Sequence, residues 1–201
     1  ALLLLATGGL PRAALPIGFA GMAINLALDP LAASFLLLIP CVTLAPLPLV
    51  AVVVILSAAN GFTLAIGLLL LGGIASLRSA STAAICCIVA LVLAGSVSDF
   101  AAIRAMPPDS WRAAAVLLLT LAGAAATATF SPVMAIYVLI RLLFDLCGTA
   151  QPLWWGVPLL LAGAGIAMVT SLRGALADWL DVAVSQASLH QVGLAVIGLG
   201  V

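Results

Sequence analysis

Lysine and glutamate are both absent from this chain of 201 residues. Its charges are six arginines and six aspartates, which make up only 6% of the residues, whereas soluble domains carry about a quarter. With 66% hydrophobic residues and a mean hydropathy of +1.43, the composition suits lipid rather than water. The net charge is zero, so no basic face attracts nucleic acid, and we exclude nucleic-acid binding.

Histidine and cysteine are also scarce, which limits metal and catalytic chemistry. The single histidine is His190, and the four cysteines are Cys41, Cys86, Cys87 and Cys147. No second cysteine or histidine lies at metal-ligand spacing, and the sequence has no Ser-His-Asp order. We therefore predict no metal site, no cofactor and no catalytic centre, with the cysteines acting as small buried hydrophobes. A bound lipid or quinone stays open.

The long apolar runs predict an all-α fold, a polytopic transmembrane bundle of roughly six to eight helices. Backbone groups in hydrocarbon need internal partners, so continuous runs without period-two alternation are helices rather than barrel strands. We predict a single integral membrane domain over 1–201. Within it, 1–30 forms a partial helix plus an extended segment, and 31–201 forms the helical bundle. Two prolines and two glycines disfavour a helix over Ala14–Asp29.

Charged residues, prolines and glycines divide the apolar sequence into spans. Leu31–Ser57 is either one span kinked by three prolines or two short spans. Ser98–Trp111 is the clearest extramembrane connection, and Ser131-Pro132 opens a helix through Phe144. Arginines on alternate loops are nearly balanced, so we predict no orientation. The other predicted spans are Phe62–Leu77, Thr82–Val97, Arg112–Phe130, Leu153–Leu172 and Val182–Val201.

Arg141 and Asp145 are the first candidate site residues. They lie four residues apart in an apolar helix, on one face, so that they can form an intramembrane ion pair. One interpretation is a remnant ion pair in a polar axis through the membrane. The alternative is a pair near the membrane surface, with the Arg141 side chain extending to the headgroups.

His190 is a weaker candidate, for a proton relay, because it is the only group that titrates near neutrality without perturbation. The alternative is a histidine that packs between helices with its hydrogen bonds satisfied. Asp29 is predicted to cap the helix that follows it. Trp154 and Trp155 are typical of an interfacial anchor, with a quinone or pigment contact as the alternative. Two glycines, Gly163 and Gly165, are predicted to allow close helix packing.

Five segments follow one another along nearly the whole chain: LALDPLAASFLLLI, AANGFTLAIGLLLLGGIASL, SDFAAIRAMPP, SPVMAIYVLIRLLFDLCG with PLWWG, and SLRGALADWLDVAVSQASLHQVGL. In this order they resemble the antiporter-like membrane subunits, the proton-conducting family of respiratory complex I, Mrp-type sodium/proton antiporters and membrane hydrogenases. Within that family the similarity is greatest to hydrogenase-4 component B subunits.

The resemblance implies a proton path built from glutamate and lysines, and this chain departs from it at each position. Leu69 stands where the family has its glutamate, beside Leu68. The lysine-bearing stretch and the loop after it are missing before Ser131-Pro132, and Met134-Ala135 replaces the second lysine. Later in the chain, a family Asp-Leu-Lys-Arg segment becomes Trp179–Val182, so that a cation is replaced by an anion.

These departures predict a scaffold that has lost its relay. We expect a non-catalytic accessory subunit of a larger respiratory, hydrogenase or photosynthetic complex, multi-pass in the bacterial inner membrane. Its partners would be the other membrane subunits and the bilayer. The alternative is a fragment of a functional proton-translocating subunit. A third and weaker interpretation is an unrelated membrane enzyme or carrier, with Arg141 and Asp145 as the nucleus of its polar cavity.

Overall fold

The computed structural model describes residues 12–19, 22–42, 55, 60–73, 76–105, 109–147 and 152–201. The described chain is helical apart from one β-hairpin. Its strands are β1 (Arg12–Phe19) and β2 (Met22–Ala27). Its helices are α1 (Pro30–Val42), α2 (Gly61–Gly73), α3 (Leu77–Ala94), α4 (Phe100–Ala105), α5 (Ser110–Ala128), α6 (Pro132–Leu139) with a π-helical continuation at Ile140–Leu146, a 3₁₀ turn at Leu153–Trp155, α7 (Gly156–Ala175) and α8 (Leu180–Gly200).

The hairpin lies within 1–30, where a partial helix plus an extended segment was predicted, and the rest of the described chain is helical, consistent with the all-α prediction. β1 and β2 pair antiparallel from Arg12 opposite Ala27 to Phe19 opposite Met22, with an irregular register between Leu15 and Gly18. Non-helical backbone was expected over this segment, and the described part of it is extended. The irregularity surrounds a proline, which cannot donate a ladder hydrogen bond and is confined to edges and bulges.

Four helical segments are long and apolar enough to cross a membrane: Leu77–Ala94, Ser110–Ala128, Leu153–Ala175 and Leu180–Gly200. The protein is therefore a helical membrane protein, although the described ranges hold fewer spans than the six to eight predicted. The thirteen residues of α2 reach about 20 Å, less than the ~30 Å of hydrocarbon. In the predicted span Leu31–Ser57, α1 ends at Val42, and most of the rest lies outside the described residues.

Close contacts fix how neighbouring helices run. Gly61 lies against Leu91 and Gly72 against Ala80, so α2 and α3 are antiparallel. Gly156 lies against Gly200 in the same way, which makes α7 and α8 antiparallel. Gly72 also lies against Phe130, just after α5, so the start of α3 lies beside the end of α5. Ala113 near the start of α5 packs in one cluster with Trp155, just before α7. The last residue of α3, the first of α5 and the first of α7 therefore share one end of the bundle, which we call the Arg104 end. The opposite end, with the α7–α8 turn, is the Arg173 end.

The helix Pro132–Leu146 lies at the centre of the packing, because its two faces belong to different apolar clusters. Met134, Tyr137 and Val138 pack with side chains of α1, α2 and α3. Ala135 and Leu139 pack instead with side chains of α5, α7 and α8. A helix that is apolar all round is the sequence signature of such a central position.

The α7–α8 pair depends on close backbone approach. A Cβ on Gly163 would lie 2.7 Å from the Gly193 oxygen, which confirms Gly163 as a packing glycine. A Cβ on Gly165 would meet nothing within 4 Å among the described atoms, so the same prediction for Gly165 is wrong. Gly165 lies in a gap of about 380 Å³ between α5 and the α7–α8 pair, where no backbone approaches it.

Gly193→Ala should separate α7 from α8, since the new Cβ would lie 2.7 Å from the Ala167 nitrogen. We expect a loss of about 1–3 kcal/mol in the free energy of unfolding, measured in detergent by thermal or denaturant titration. Gly198→Ala is the matched control on the same helix, because its Cβ would meet nothing within 4 Å. Equal stability of the two variants would contradict the close packing.

Candidate functional site

The helix that carries the site begins as its sequence predicts and then changes its hydrogen bonding. The Ser131 hydroxyl accepts from the Met134 N–H at 3.4 Å, and Pro132 occupies the first turn, where its missing N–H costs nothing. From Ile140 to Leu146 the helix is π-helical. Such segments are rare and frequently lie at functional sites. This segment carries Arg141 and Asp145, the predicted pair.

Arg141 is buried, with 1% of its side chain exposed, and all five of its N–H donors are used. Nη1 donates to Asp29 Oδ2 and, at 2.5 Å, to Asp145 Oδ2. Nη2 donates to Asp29 Oδ1 at 2.9 Å and to the Tyr137 hydroxyl at 3.0 Å. Nε donates to the same hydroxyl at 3.2 Å. The guanidinium therefore has no donor left for a ligand.

Asp29 performs two tasks at the start of α1. Its Oδ1 accepts from the Ala32 N–H at 2.8 Å, which confirms the predicted cap. Both of its oxygens also accept from Arg141, 112 residues away, in the two-pronged geometry typical of arginine and carboxylate. The cap thus fastens the first residues of α1 to the central helix.

Asp145 connects the buried arginine to a second, exposed one. Its Oδ2 accepts from Arg104 Nη2 at 2.8 Å as well as from Arg141, and its carbonyl oxygen accepts from Arg104 Nε at 3.3 Å. Arg104 belongs to α4, a short helix whose Phe100 and Ile103 are buried in the core. The predicted extramembrane connection is therefore partly folded onto the bundle.

Charge alternates along this network, which we define as Asp29, Arg141, Asp145 and Arg104. Two cations and two anions give a net charge of zero, so no unpaired charge is buried. Exposure of the two arginines differs sharply, from 1% at Arg141 to 43% at Arg104. The network therefore runs from the core to the surface at the Arg104 end.

Tyr137 extends the network into the core. Its hydroxyl accepts from Arg141 and donates to the Ile55 carbonyl at 2.9 Å. Its ring meets Phe35 edge to face at a centroid distance of 5.2 Å, and the Arg141 guanidinium carbon lies 5.3 Å from the same ring centroid. Tyr137 thus gives the guanidinium both a polar and an aromatic partner.

His190 lies apart from the network, on α8. Its Nδ1 is 3.1 Å from the Ala167 carbonyl oxygen and 3.0 Å from Ser171 Oγ, both on α7. Both contacts join the ring of His190 on α8 to α7. No hydrogen bond among the described residues joins His190 to Arg141 or Asp145, so the structure does not bring the predicted candidates into one path.

The remaining candidate residues lie outside the charge network. Leu68 is fully buried in the core, and Leu69 beside it is 36% exposed. Trp155 is buried and Trp154 is 42% exposed at the Arg104 end, so the interfacial anchor stays a prediction. No group of three metal-ligating side chains occurs among the described residues. Three of the cysteines, Cys86, Cys87 and Cys147, are free thiols.

Sequence reasoning missed three members of the site: Arg104, Tyr137 and Asp29 in its pairing role. The signal for Tyr137 was present, since it lies four residues before Arg141 on the same helical face. Asp29 and Arg104 carried no such signal, because their partners are 112 and 41 residues away.

Comparison with protein-family models, with curated proteins and with solved structures finds no match to this chain. The similarity to antiporter-like subunits therefore depends on the five sequence segments, and the role of the network must be argued from its own geometry.

Asp145→Ala should loosen the Arg104 end, because it removes an acceptor from both arginines. We expect a loss of about 2 kcal/mol in the free energy of unfolding, below the ~3–5 kcal/mol of a fully buried pair, since Arg141 keeps Asp29. Asp109→Ala is the control, because Asp109 is exposed and makes no side-chain cap bond. An Asp145→Ala protein as stable as this control would leave the ion pair without a structural role.

Proposed function

We propose that this chain is a non-catalytic accessory subunit of a larger respiratory, hydrogenase or photosynthetic membrane complex, with an antiporter-like scaffold that has lost its proton relay. The observation that carries the proposal is the saturation of Arg141. All five donors of its guanidinium are held by fixed partners, and the surrounding charges sum to zero. Such a site holds helices together and offers nothing to a substrate.

The positions where the resembling family conducts protons support the same proposal. A relay needs groups that release and accept protons within reach of one another. Leu68 and Leu69 occupy the region of the family's glutamate, and Leu68 is packed into the apolar core. His190 contacts the backbone of α7 and forms no hydrogen bond with a charged side chain among the described residues. Among the described residues, therefore, no continuous series of protonatable side chains connects one end of the bundle to the other.

The outer surface supports a role in assembly. In an apolar 18-residue stretch of Leu153–Ala175 only 28% of the residues are buried, and in the corresponding stretch of Leu180–Gly200 only 17% are. Most of the α7–α8 pair is therefore left for contact with lipid or other subunits. Localisation to the bacterial inner membrane follows from the proposed family and is part of this proposal.

Proteoliposomes that contain only this protein should not collapse an imposed pH gradient faster than empty vesicles, and they should not move sodium. The physical reason is that a path across ~30 Å of hydrocarbon needs several ionisable or water-holding groups in series. The measurement is the decay of a trapped pH-sensitive dye after an acid jump.

His190→Ala is the matched variant for this experiment, because His190 is the only histidine. A leak in the original protein that disappears in His190→Ala would overturn the accessory role in favour of a proton channel in α8. Copurification in fixed stoichiometry with a larger complex, from the native membrane, is the complementary expected result. Purification without any other subunit would also count against the proposal.

A further inference from the structure

The gap beside Gly165 is an apolar groove that opens onto the outer surface of the bundle. It has a volume of about 380 Å³, with α5 as one wall, α7 and α8 as the other, and the buried Leu139 of α6 at its inner end. Ala125 and Gly165, on opposite walls, are both exposed. α8 lines the gap at the same turns as α7, since Gly193 lies against Ala167. The gap is separate from the charge network.

The gap occupies one half of the membrane thickness. Its lining on α5 runs from Leu121 to Thr129, just after the end of the helix, and on α7 from Gly165 to Thr170. Both segments lie towards the Arg173 end. Gly165 is ten residues before the end of α7 at Ala175, about 15 Å, which is half of ~30 Å of hydrocarbon. The gap therefore has the depth of one leaflet, as a lipid chain has and a membrane-crossing helix has not.

The width of the gap excludes a whole helix. Leu121 and Thr129 are eight residues apart, about 12 Å along a helix, so the volume corresponds to a cross-section of about 30 Å². A helix with its side chains is ~10–12 Å across and has a cross-section of about 80 Å² or more. Since an apolar cavity of ~150 Å³ holds one benzene molecule, the gap has room for roughly fifteen carbon atoms. That is the size of one fatty acyl chain.

The side chains of the gap offer no free hydrogen-bond donor. Among the described residues that line it, only Thr129 and Thr170 are polar. The Thr129 hydroxyl donates to the Ala126 carbonyl and the Thr170 hydroxyl to the Ile166 carbonyl, each at 2.7 Å. Both protons are therefore used within their own helices. A quinone ring would find no donor here for its carbonyl oxygens, whereas an alkyl chain needs none.

A cation lies one helical turn beyond the gap. Arg173 follows Val169 by four residues and Thr170 by three, so it lies on the same face of α7. It is exposed, and it forms no ion pair with any residue that the structure describes, including Asp178 and Asp181 at the same end. An arginine in the last turn of a span extends to the headgroup level, where it can bind a phosphate group.

We propose that the gap is a binding site for one membrane phospholipid, with an acyl chain between α5 and the α7–α8 pair and the phosphate beside Arg173. The leaflet depth, the narrow cross-section, the apolar lining and the cation at the mouth all match this ligand. Lipid surrounds the spans, so the ligand is always available to a groove on their outer surface. The inference is independent of the accessory role, because a subunit, a channel or a carrier can each hold a lipid.

Native mass spectrometry of the purified protein with phosphatidylglycerol tests the site. One phospholipid per chain should stay bound in detergent that removes the surrounding lipid. Gly165→Phe should lower the affinity about ten-fold or more, because its ring would fill the space of the chain and its Cβ would meet nothing within 4 Å. Gly198→Phe is the matched control, since Gly198 is equally open and does not line the gap.

Two further pairs of variants test the opposite wall and the phosphate. Ala125→Phe should block the gap from α5, with Ala122→Phe as its control, because Ala122 is exposed on the same helix outside the gap. Arg173→Gln should weaken binding about five-fold, as expected for one arginine near anionic headgroups. Arg78→Gln, at the same end on α3, should leave the affinity unchanged.

The two blocking variants act from different helices, so either one that folds decides the test. Failure of the native protein to retain a phospholipid would overturn the proposal. So would a blocking variant that binds phosphatidylglycerol as tightly as its control, or a quinone retained from the native membrane in place of phospholipid. A disulfide cross-link from Ala125→Cys to another polypeptide would also overturn it, because the gap would then hold protein.

Discussion

A guanidinium enclosed by apolar helices is the constraint on which the rest of this structure depends. Arg141 stays protonated, and its burial shields it from bulk water. Its hydrogen bonds must therefore come from the chain itself. Two carboxylates and one hydroxyl supply them. Because these groups come from the start of α1 and from both turns around Arg141, the position of α1 is fixed by the same interaction that makes the buried charge tolerable.

Two parts of the bundle are stabilised by different interactions. At the Arg104 end the network ties α1, α4 and the π-helical segment through charge and hydrogen bonds. The α7–α8 pair is held mainly by glycines that let two backbones approach to van der Waals contact. Lipid is as apolar as the side chains, so neither region gains from hydrophobic burial as a soluble core would. Specific contacts therefore have to replace the non-specific force.

Local sequence signals predicted local structure well and distant pairing poorly. Ser131-Pro132 indicated a helix start, Asp29 indicated a cap, and the spacing of Arg141 and Asp145 placed them on one face; each of these features is present. The bond between Asp29 and Arg141 joins residues with no shared periodicity, so no pattern in the sequence marks it. The hairpin escaped prediction for a related reason, because prolines and glycines exclude a helix without specifying a strand partner.

The use of arginine rather than lysine relates the composition of the chain to the structure of its charge network. Lysine is a compact charge with three donors that shifts its protonation readily when buried, which suits a proton carrier. Arginine stays protonated, and its five donors in a fixed planar fork match two carboxylates and a hydroxyl at once. A network of arginine and aspartate therefore gains rigidity and gives up proton exchange at the cation. The absence of lysine and glutamate from the whole chain and the saturated geometry of Arg141 have the same physical consequence, which is an internal charge that is fixed in place.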